Sequence, residues 1–407
     1  MLDIVFKIHV VIGYLLVLLM PLYQKIIPLL LALWALTFFI SKLSRSYFDH
    51  LIKNKTGLLG ISFFLLSVLS LTYTDNWSSG TFDVESKLSF IIFPLVLSSS
   101  VYYYSHLIIK RIFLSFISGL IISSIYCLSV GFYRIIALDA PFQYLTYTDL
   151  SVFMHPSYFS MYLSMGLLFT YYIWKNSTKQ IYRTSIYCAL IALFFATMIV
   201  LLSSKTGIIV LLLLLLLIAN DMVKKKLRLL LAVVLLVSIF AGVFFTNPRF
   251  KSMREQLTAM FKTEQYEKVE SNALRVILWE NALELIGSNW FKGVSAGDLK
   301  YDLTEKSGIV SYDDNGNRIY FNAHNQWIET FLANGIVGFL IIFLWFFVPL
   351  RESTGRFRTM LIGAFLILFI NGFFESIFNK QEGIIFAVLI WTLLSALTNK
   401  FVQQKLT

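Results

Sequence analysis

The chain has 407 residues, of which 57% are hydrophobic and only 14% charged, and its mean hydropathy is +0.73. A soluble domain carries about 25% charged residues, so an ordinary water-soluble fold is excluded. The net charge of +11 sits largely in short connections between apolar runs, where it orients a membrane protein and does not indicate a nucleic acid partner.

Apolar runs near the length of a bilayer crossing recur along the chain. In order they are Ile4–Leu22, Ile26–Ile40, Leu58–Tyr73, Leu88–Tyr104, Ile112–Tyr133, Val152–Trp174, Ile186–Leu202, Gly207–Ala219 and Leu229–Phe245. After a long polar stretch come Trp327–Leu350, Met360–Phe374 and Gly383–Leu397. In lipid only helices and closed barrels satisfy their own backbone polar groups, and these runs lack the alternation of barrel strands. The sequence therefore predicts an all-α integral membrane protein with about twelve transmembrane helices. Residues 1–246 would hold helices 1–9, residues 247–323 a loop domain, and residues 324–407 helices 10–12.

Basic residues set the orientation. Every second connection is rich in them: Lys42, Arg45, Lys53 and Lys55; Lys110 and Arg111; Lys175, Lys179 and Arg183; Lys224, Lys225, Lys226 and Arg228; Arg351, Arg356 and Arg358; Lys400 and Lys405. The alternate short connections carry one each, namely Lys25, Lys87, Arg134, Lys205 and Lys380. The excess of Lys and Arg marks cytoplasmic loops, which puts both termini inside. The first run contains Lys7 and His9 and lacks a small-residue cleavage site, so it reads as a retained helix. Cys127 and Cys188 fall inside predicted helices and suggest neither a disulfide framework nor a metal site.

The stretch between Phe245 and Trp327 is the one long extracytoplasmic loop. Its ten Lys/Arg and eleven Asp/Glu nearly cancel, and a long loop without disorder-prone composition is usually functional. Asn247-Pro248 reads as a helix start, and Ser271-Asn272 as a second. Gly287 would end that second helix. Arg275 and Trp279 are four apart and share one of its faces. Gly293 and Gly297 mark a tight loop. Asp313-Asp314-Asn315-Gly316-Asn317 reads as a turn joining two short strands; it lacks the spacing and terminal Glu of a calcium loop.

Of the five histidines, only His155 and His324 fall at the outer face. His324 is expected to begin the helix after the long loop, where unpaired backbone N–H groups favour an anion. An imidazole there suits a general base, or it simply caps a helix at the interface. Lys205, in a short outer turn, and Arg275 either approach a diphosphate or serve as an interfacial and a solvated cation, respectively. His155, before Pro156-Ser157-Tyr158, binds sugar or phosphate or caps its helix. Tyr144, Tyr147, Asp149, Glu375 and Glu382 at the same face read first as interfacial residues.

The combination resembles the O-antigen ligase and O-antigen polymerase superfamily. His324-Asn325 followed by Gly335 and Gly338 looks like its histidine signature. Arg275, Trp279 and Ala282, leading to Gly293 and Gly297, resemble its Arg-x-x-x-Trp-x-x-Ala segment. Ser204-Lys205-Thr206-Gly207 is similar to its Ser-Arg-Gly turn, with Lys in place of Arg. His155-Pro156-Ser157-Tyr158 is similar to a segment of some members.

The resemblance implies an inverting, metal-independent glycosyltransferase of the GT-C kind with no cofactor, at the periplasmic face of a bacterial inner membrane. Its donor would be a glycan on undecaprenyl diphosphate and its acceptor most readily lipid A–core. A polymerase adding to another lipid-linked glycan and a protein O-oligosaccharyltransferase are the alternatives within the class. His324 would be catalytic, Arg275 and Lys205 would bind the diphosphate, and His155, Tyr158, Asn325 and Trp279 would contact substrate. Membrane lipids are the remaining partners, and no metal is required. The reading from a different class is a secondary transporter or flippase, against which stand the scarcity of charge within the spans and the lack of an internal repeat.

Overall fold

The computed structural model describes residues 2–41, 43, 47–177, 182–223, 271–313, 315–353 and 357–406, with five single positions between 224 and 245. Most of the expected ninth span Leu229–Phe245, the helix start Asn247-Pro248 and Asp314 lie outside these residues. So do the basic residues Lys42, Arg45, Lys179, Lys224, Lys225, Lys226, Arg228 and Arg356. Among the described residues the fold is helical. In chain order the helices are α1 Leu2–Leu19, α2 Ile27–Ile40, α3 Tyr47–Lys53, α4 Lys55–Ser70, α5 Trp77–Ser86, α6 Ser89–Tyr103, α7 His106–Ala137 and α8 Tyr147–Leu150. They continue with α9 Pro156–Lys175, α10 Tyr182–Leu201, α11 Lys205–Met222, α12 Ser271–Asn289, α13 Leu299–Ser307, α14 Gln326–Glu352, α15 Arg358–Phe374 and α16 Gln381–Leu406.

Eleven of the twelve expected runs coincide with helices. Eight helical segments of the described residues are long and apolar enough to cross a bilayer. Helices α2 and α15 are apolar but shorter. Helix α9 carries serines and tyrosines along its length, and 17 of its 20 residues are buried. It is a central post, packed against α7, α10, α11 and α15. Helix α16 is the second, with 89% of its apolar window buried, whereas α1 and α10 bury only 22% and 17%. The latter two keep apolar faces outward, as a lipid-facing helix does.

A separate small core lies under the long loop. Leu278, Ala282 and Ile286 of α12 meet Leu299 and Leu303 of α13 and Leu332 of α14. Burying such side chains contributes about 1.5–3 kcal/mol each. The exposed Lys306–Glu284 pair at 3.0 Å adds about 0–1 kcal/mol, so packing and not charge holds this piece down.

Four expectations need correction. Helix α12 runs through Gly287 to Asn289, because Ser288 and Asn289 side chains bond back to Leu285 O and extend its last turn. The expected strand pair shrinks to one antiparallel bridge, Tyr312 to Arg318. The turn between them is closed by Asp313, whose carboxylate accepts N–H bonds from Asn315 and Asn317. Helix α14 starts at Gln326, not at His324.

The fourth concerns Gly335, which falls inside the expected span Trp327–Leu350. It interrupts α14 with φ +61°, a conformation that favours glycine. The loop after α12 presses its backbone into this break. Ile336 N–H donates to Trp290 O at 2.9 Å, and Val294 and Ser295 N–H donate to Leu332 and Ala333 carbonyls. A Cβ on Gly335 would overlap the Phe291 carbonyl. Non-helical backbone in such a helix is tolerated where protein covers it and pairs its polar groups.

Candidate active site

The expected site residues meet at one end of the bundle. There α9, α11, α14 and α16 begin and α15 ends, around a cavity of about 340 Å³. Pockets that take small ligands measure roughly 300–1,000 Å³. Its wall includes His324, Arg275, Lys205, His155 and Tyr158, joined by Glu375 and Lys380.

His324 is held by its neighbours. Its φ is +45°, a region that costs a non-glycine residue of order 1 kcal/mol and persists only when the surroundings impose it. Its own N–H donates to Asn322 Oδ1 at 3.0 Å. The preceding carbonyl, of Ala323, accepts the Trp279 indole N–H at 2.7 Å. The following residue, Asn325, caps α14 by accepting from Trp327 and Ile328 N–H. This clamp leaves the His324 side chain 35% exposed. Trp279 and Asn325, expected at the substrate, thus have bonds that position the histidine.

Glu375, at the end of α15, faces both expected functional groups. One oxygen lies 3.5 Å from Arg275 Nη2, the other 3.8 Å from His324 Nδ1. Burial raises the cost of charging this carboxyl. The adjoining His324 imidazole and the charges of Arg275 and His155 outweigh that cost and hold it below the usual carboxylate range. The turn that carries Glu375 is fastened to the first turn of α14. Gln326 Oε1 accepts from Phe378 N–H at 2.7 Å, and Glu329 accepts from Ser376 and Asn379. One helix start therefore fixes both His324 and Glu375.

His155 caps α9, its Nδ1 accepting from Ser157 N–H at 3.4 Å. It also lines the cavity, so the two sequence alternatives are compatible. Burial first, then the positive groups Lys380 and Arg275, lower its pKa against the opposing pull of Glu375. Tyr158 is 3% exposed and donates to the Ser376 carbonyl at 3.4 Å, bracing the same turn. Lys205 is the first residue of α11, whose N-terminus Ser204 caps through Gly207 N–H.

Sequence reasoning missed Glu375 and Lys380 as members of the site. Lys380 is the only basic residue of its short turn, and Glu375 lies five positions before it, at the end of an apolar run. One cation with two carboxylates, Glu375 and Glu382, in the short turn between two apolar runs was the available signal. Arg275, Lys205 and Lys380 against Glu375 leave the cavity with a surplus of two positive charges, which suits a polyanion. Among the described residues no group of three His, Cys, Asp or Glu side chains is placed to hold a metal ion.

The family model described as O-antigen ligase matches residues 188–343. That segment includes Lys205, Arg275, Trp279 and His324, and ends before Glu375 and Lys380. No curated protein matches the chain.

Proposed function

The chain belongs to the O-antigen ligase superfamily, and from that premise we propose that it transfers a glycan from undecaprenyl diphosphate to an acceptor hydroxyl, that of lipid A–core. The observation that carries this is the convergence of His324 and Arg275 on Glu375 in one cationic cavity. The cavity faces the periplasm, where the positive-inside pattern puts the starts of α9, α11 and α14.

The diphosphate of the carrier sits against Arg275, Lys205 and Lys380, which take the place of a metal ion in neutralising it. Arg275 supplies a planar, permanently charged fork, and the lysines point charges. His324 removes the proton of the acceptor hydroxyl through Nε2. Glu375, beside Nδ1, favours the tautomer with hydrogen there and steadies the imidazolium once it forms. The acceptor oxygen attacks the anomeric carbon, the bond from that carbon to the phosphate oxygen breaks, and its electron pair leaves with the diphosphate. Attack opposite the leaving group inverts the anomeric centre.

Purified protein given lipid-linked glycan and acceptor should transfer with EDTA present and no ion gradient. Arg275→Ala should reduce that transfer at least ~100-fold, the order lost with one preorganised donor. Arg275→Lys should recover little of it. Full activity in Arg275→Lys would remove the role of the fork, and a strict need for a gradient would favour a transporter.

A further inference from the structure

A second cavity opens at the same end of the bundle, between the α4–α5 turn and the loop that docks on Gly335. Its volume is about 710 Å³, and it shares no lining residue with the His324 cavity. The two also differ in charge. The second is lined by Asp75, Asp298 and Asp302 against a single Lys292, a surplus of two negative charges. A phosphate is repelled here and attracted to the other.

The lips are built to stay in place. Asp298 accepts from Asp75 N–H, Asn76 N–H, Thr74 Oγ1 and Ser295 Oγ at 2.7–3.1 Å, which ties the loop to the α4–α5 turn. Gly297 lies where a Cβ would overlap Thr74 Oγ1 and the Asn76 carbonyl. Tyr73 donates to Lys292 O at 2.7 Å, with the Lys292 ammonium 4.8 Å from its ring centre. The carboxylate of Asp298 is thus consumed by the scaffold. Asp75 and Asp302 remain as acceptors, beside the amides of Asn76 and Asn289.

Two rings on this wall stay open to solvent: Trp77 is 59% exposed, and Tyr301 is 48% exposed with one tilted neighbour, Tyr320, at 5.7 Å between ring centres. Residues of an interfacial belt face lipid, whereas these share a groove with carboxylates and amides. Flat rings offered edge to edge with charged acceptors and amides suit a ligand with C–H faces and a rim of hydroxyls. We propose that this groove is a second glycan subsite, which takes uncharged or amino sugars of the membrane-tethered glycan away from the reacting diphosphate. The choice of a glycan rests on the proposed transferase reading; the charge contrast and the exposed rings do not. The lining residue Val294 donates its N–H to Leu332 O of α14 at 2.8 Å, and Ser295 beside it donates to Ala333 O. Leu332 and Ala333 lie roughly 9–11 Å along α14 from its start at Gln326, two residues after His324, at 1.5 Å per residue, a separation a few linked sugars span.

The test uses the full chain in nanodiscs and, as probe, the oligosaccharide released by mild acid from the host's own lipid carrier. Lacking lipid and phosphate, it reads the sugar site alone. Saturation-transfer NMR should report binding to the wild type and to His324→Ala. In Trp77→Ala/Tyr301→Ala, whose altered side chains are exposed, affinity should fall at least 10-fold, and Asp302→Asn should weaken it further. Undiminished binding by the double variant overturns the proposal, as does binding that requires added Ca²⁺ or is lost in His324→Ala. Failure of the transferase reading would instead appear as normal transfer by His324→Ala, so the two failures are distinguishable.

Discussion

At Glu375 one carboxylate turns an oxygen toward a guanidinium and the other toward an imidazole. Its folded form is held below the ordinary carboxyl pKa near 4.3, so its contribution to stability is complete above that value and is lost as pH falls through the lowered one. The wild type should therefore lose melting temperature more steeply below about pH 4 than Glu375→Gln does, as read by scanning fluorimetry in detergent. Parallel slopes would mean that the carboxylate has no such partners. The same variant should transfer glycan at least ~10-fold more slowly, because the histidine loses the group that orients it. His324 and Arg275 were expected at one face from residue type, spacing and family resemblance, and both line one cavity. Glu375 was not legible as their partner, because they lie 51 and 100 positions earlier and only the meeting of α15, α12 and the start of α14 brings them together.

The break in α14 governs how the long loop is seated. Two backbone segments pair across Gly335, and a side chain there has no space and an unfavourable φ. Gly335→Ala should cost about 1–3 kcal/mol of strain and release the loop, which limited proteolysis between α12 and α13 would detect. Resistance equal to wild type would show that the loop is held elsewhere. Gly297→Ala should act in the same direction from the other lip. Sequence periodicity identified the helices, since apolar runs of bilayer length leave few alternatives. It also placed Gly335 and Gly338 in one helix, but it carried no sign that the first was a break. The identity of a glycine records that a side chain is forbidden, not which neighbour forbids it. In the same way Gly287, a common helix stop, is overridden by side-chain bonds in the last turn of α12.

Across the whole molecule, charge is sorted by end. Lys175–Asp221 and Lys55–Glu352 pair at the end opposite the cavity, while Arg275, Lys205 and Lys380 gather at the other. In the proposed topology, argued from the positive-inside rule, the cavity end faces outward. A membrane-impermeant thiol reagent should therefore label Asn315→Cys in intact spheroplasts and Glu352→Cys only after lysis, each in a Cys127→Ser/Cys188→Ser chain. The reverse pattern would invert the topology. Twelve spans were expected from sequence, and eight of the described helices meet length and hydropathy together. The difference arises from α2 and α15, which are apolar but shorter, from α9, which carries serines and tyrosines and is covered by other helices, and from Leu229–Phe245, most of which lies outside the described residues.

The proposed reaction turns on one proton transfer, from the acceptor hydroxyl to His324, beside a diphosphate held by Arg275. The most direct measurement is single-turnover transfer from undecaprenyl-diphosphate glycan in proteoliposomes, wild type against His324→Ala at equal reconstituted amounts. The variant should still bind the lipid diphosphate and transfer at least ~100-fold more slowly, the order supplied by a positioned general base. Transfer by His324→Ala at the wild-type rate would contradict it.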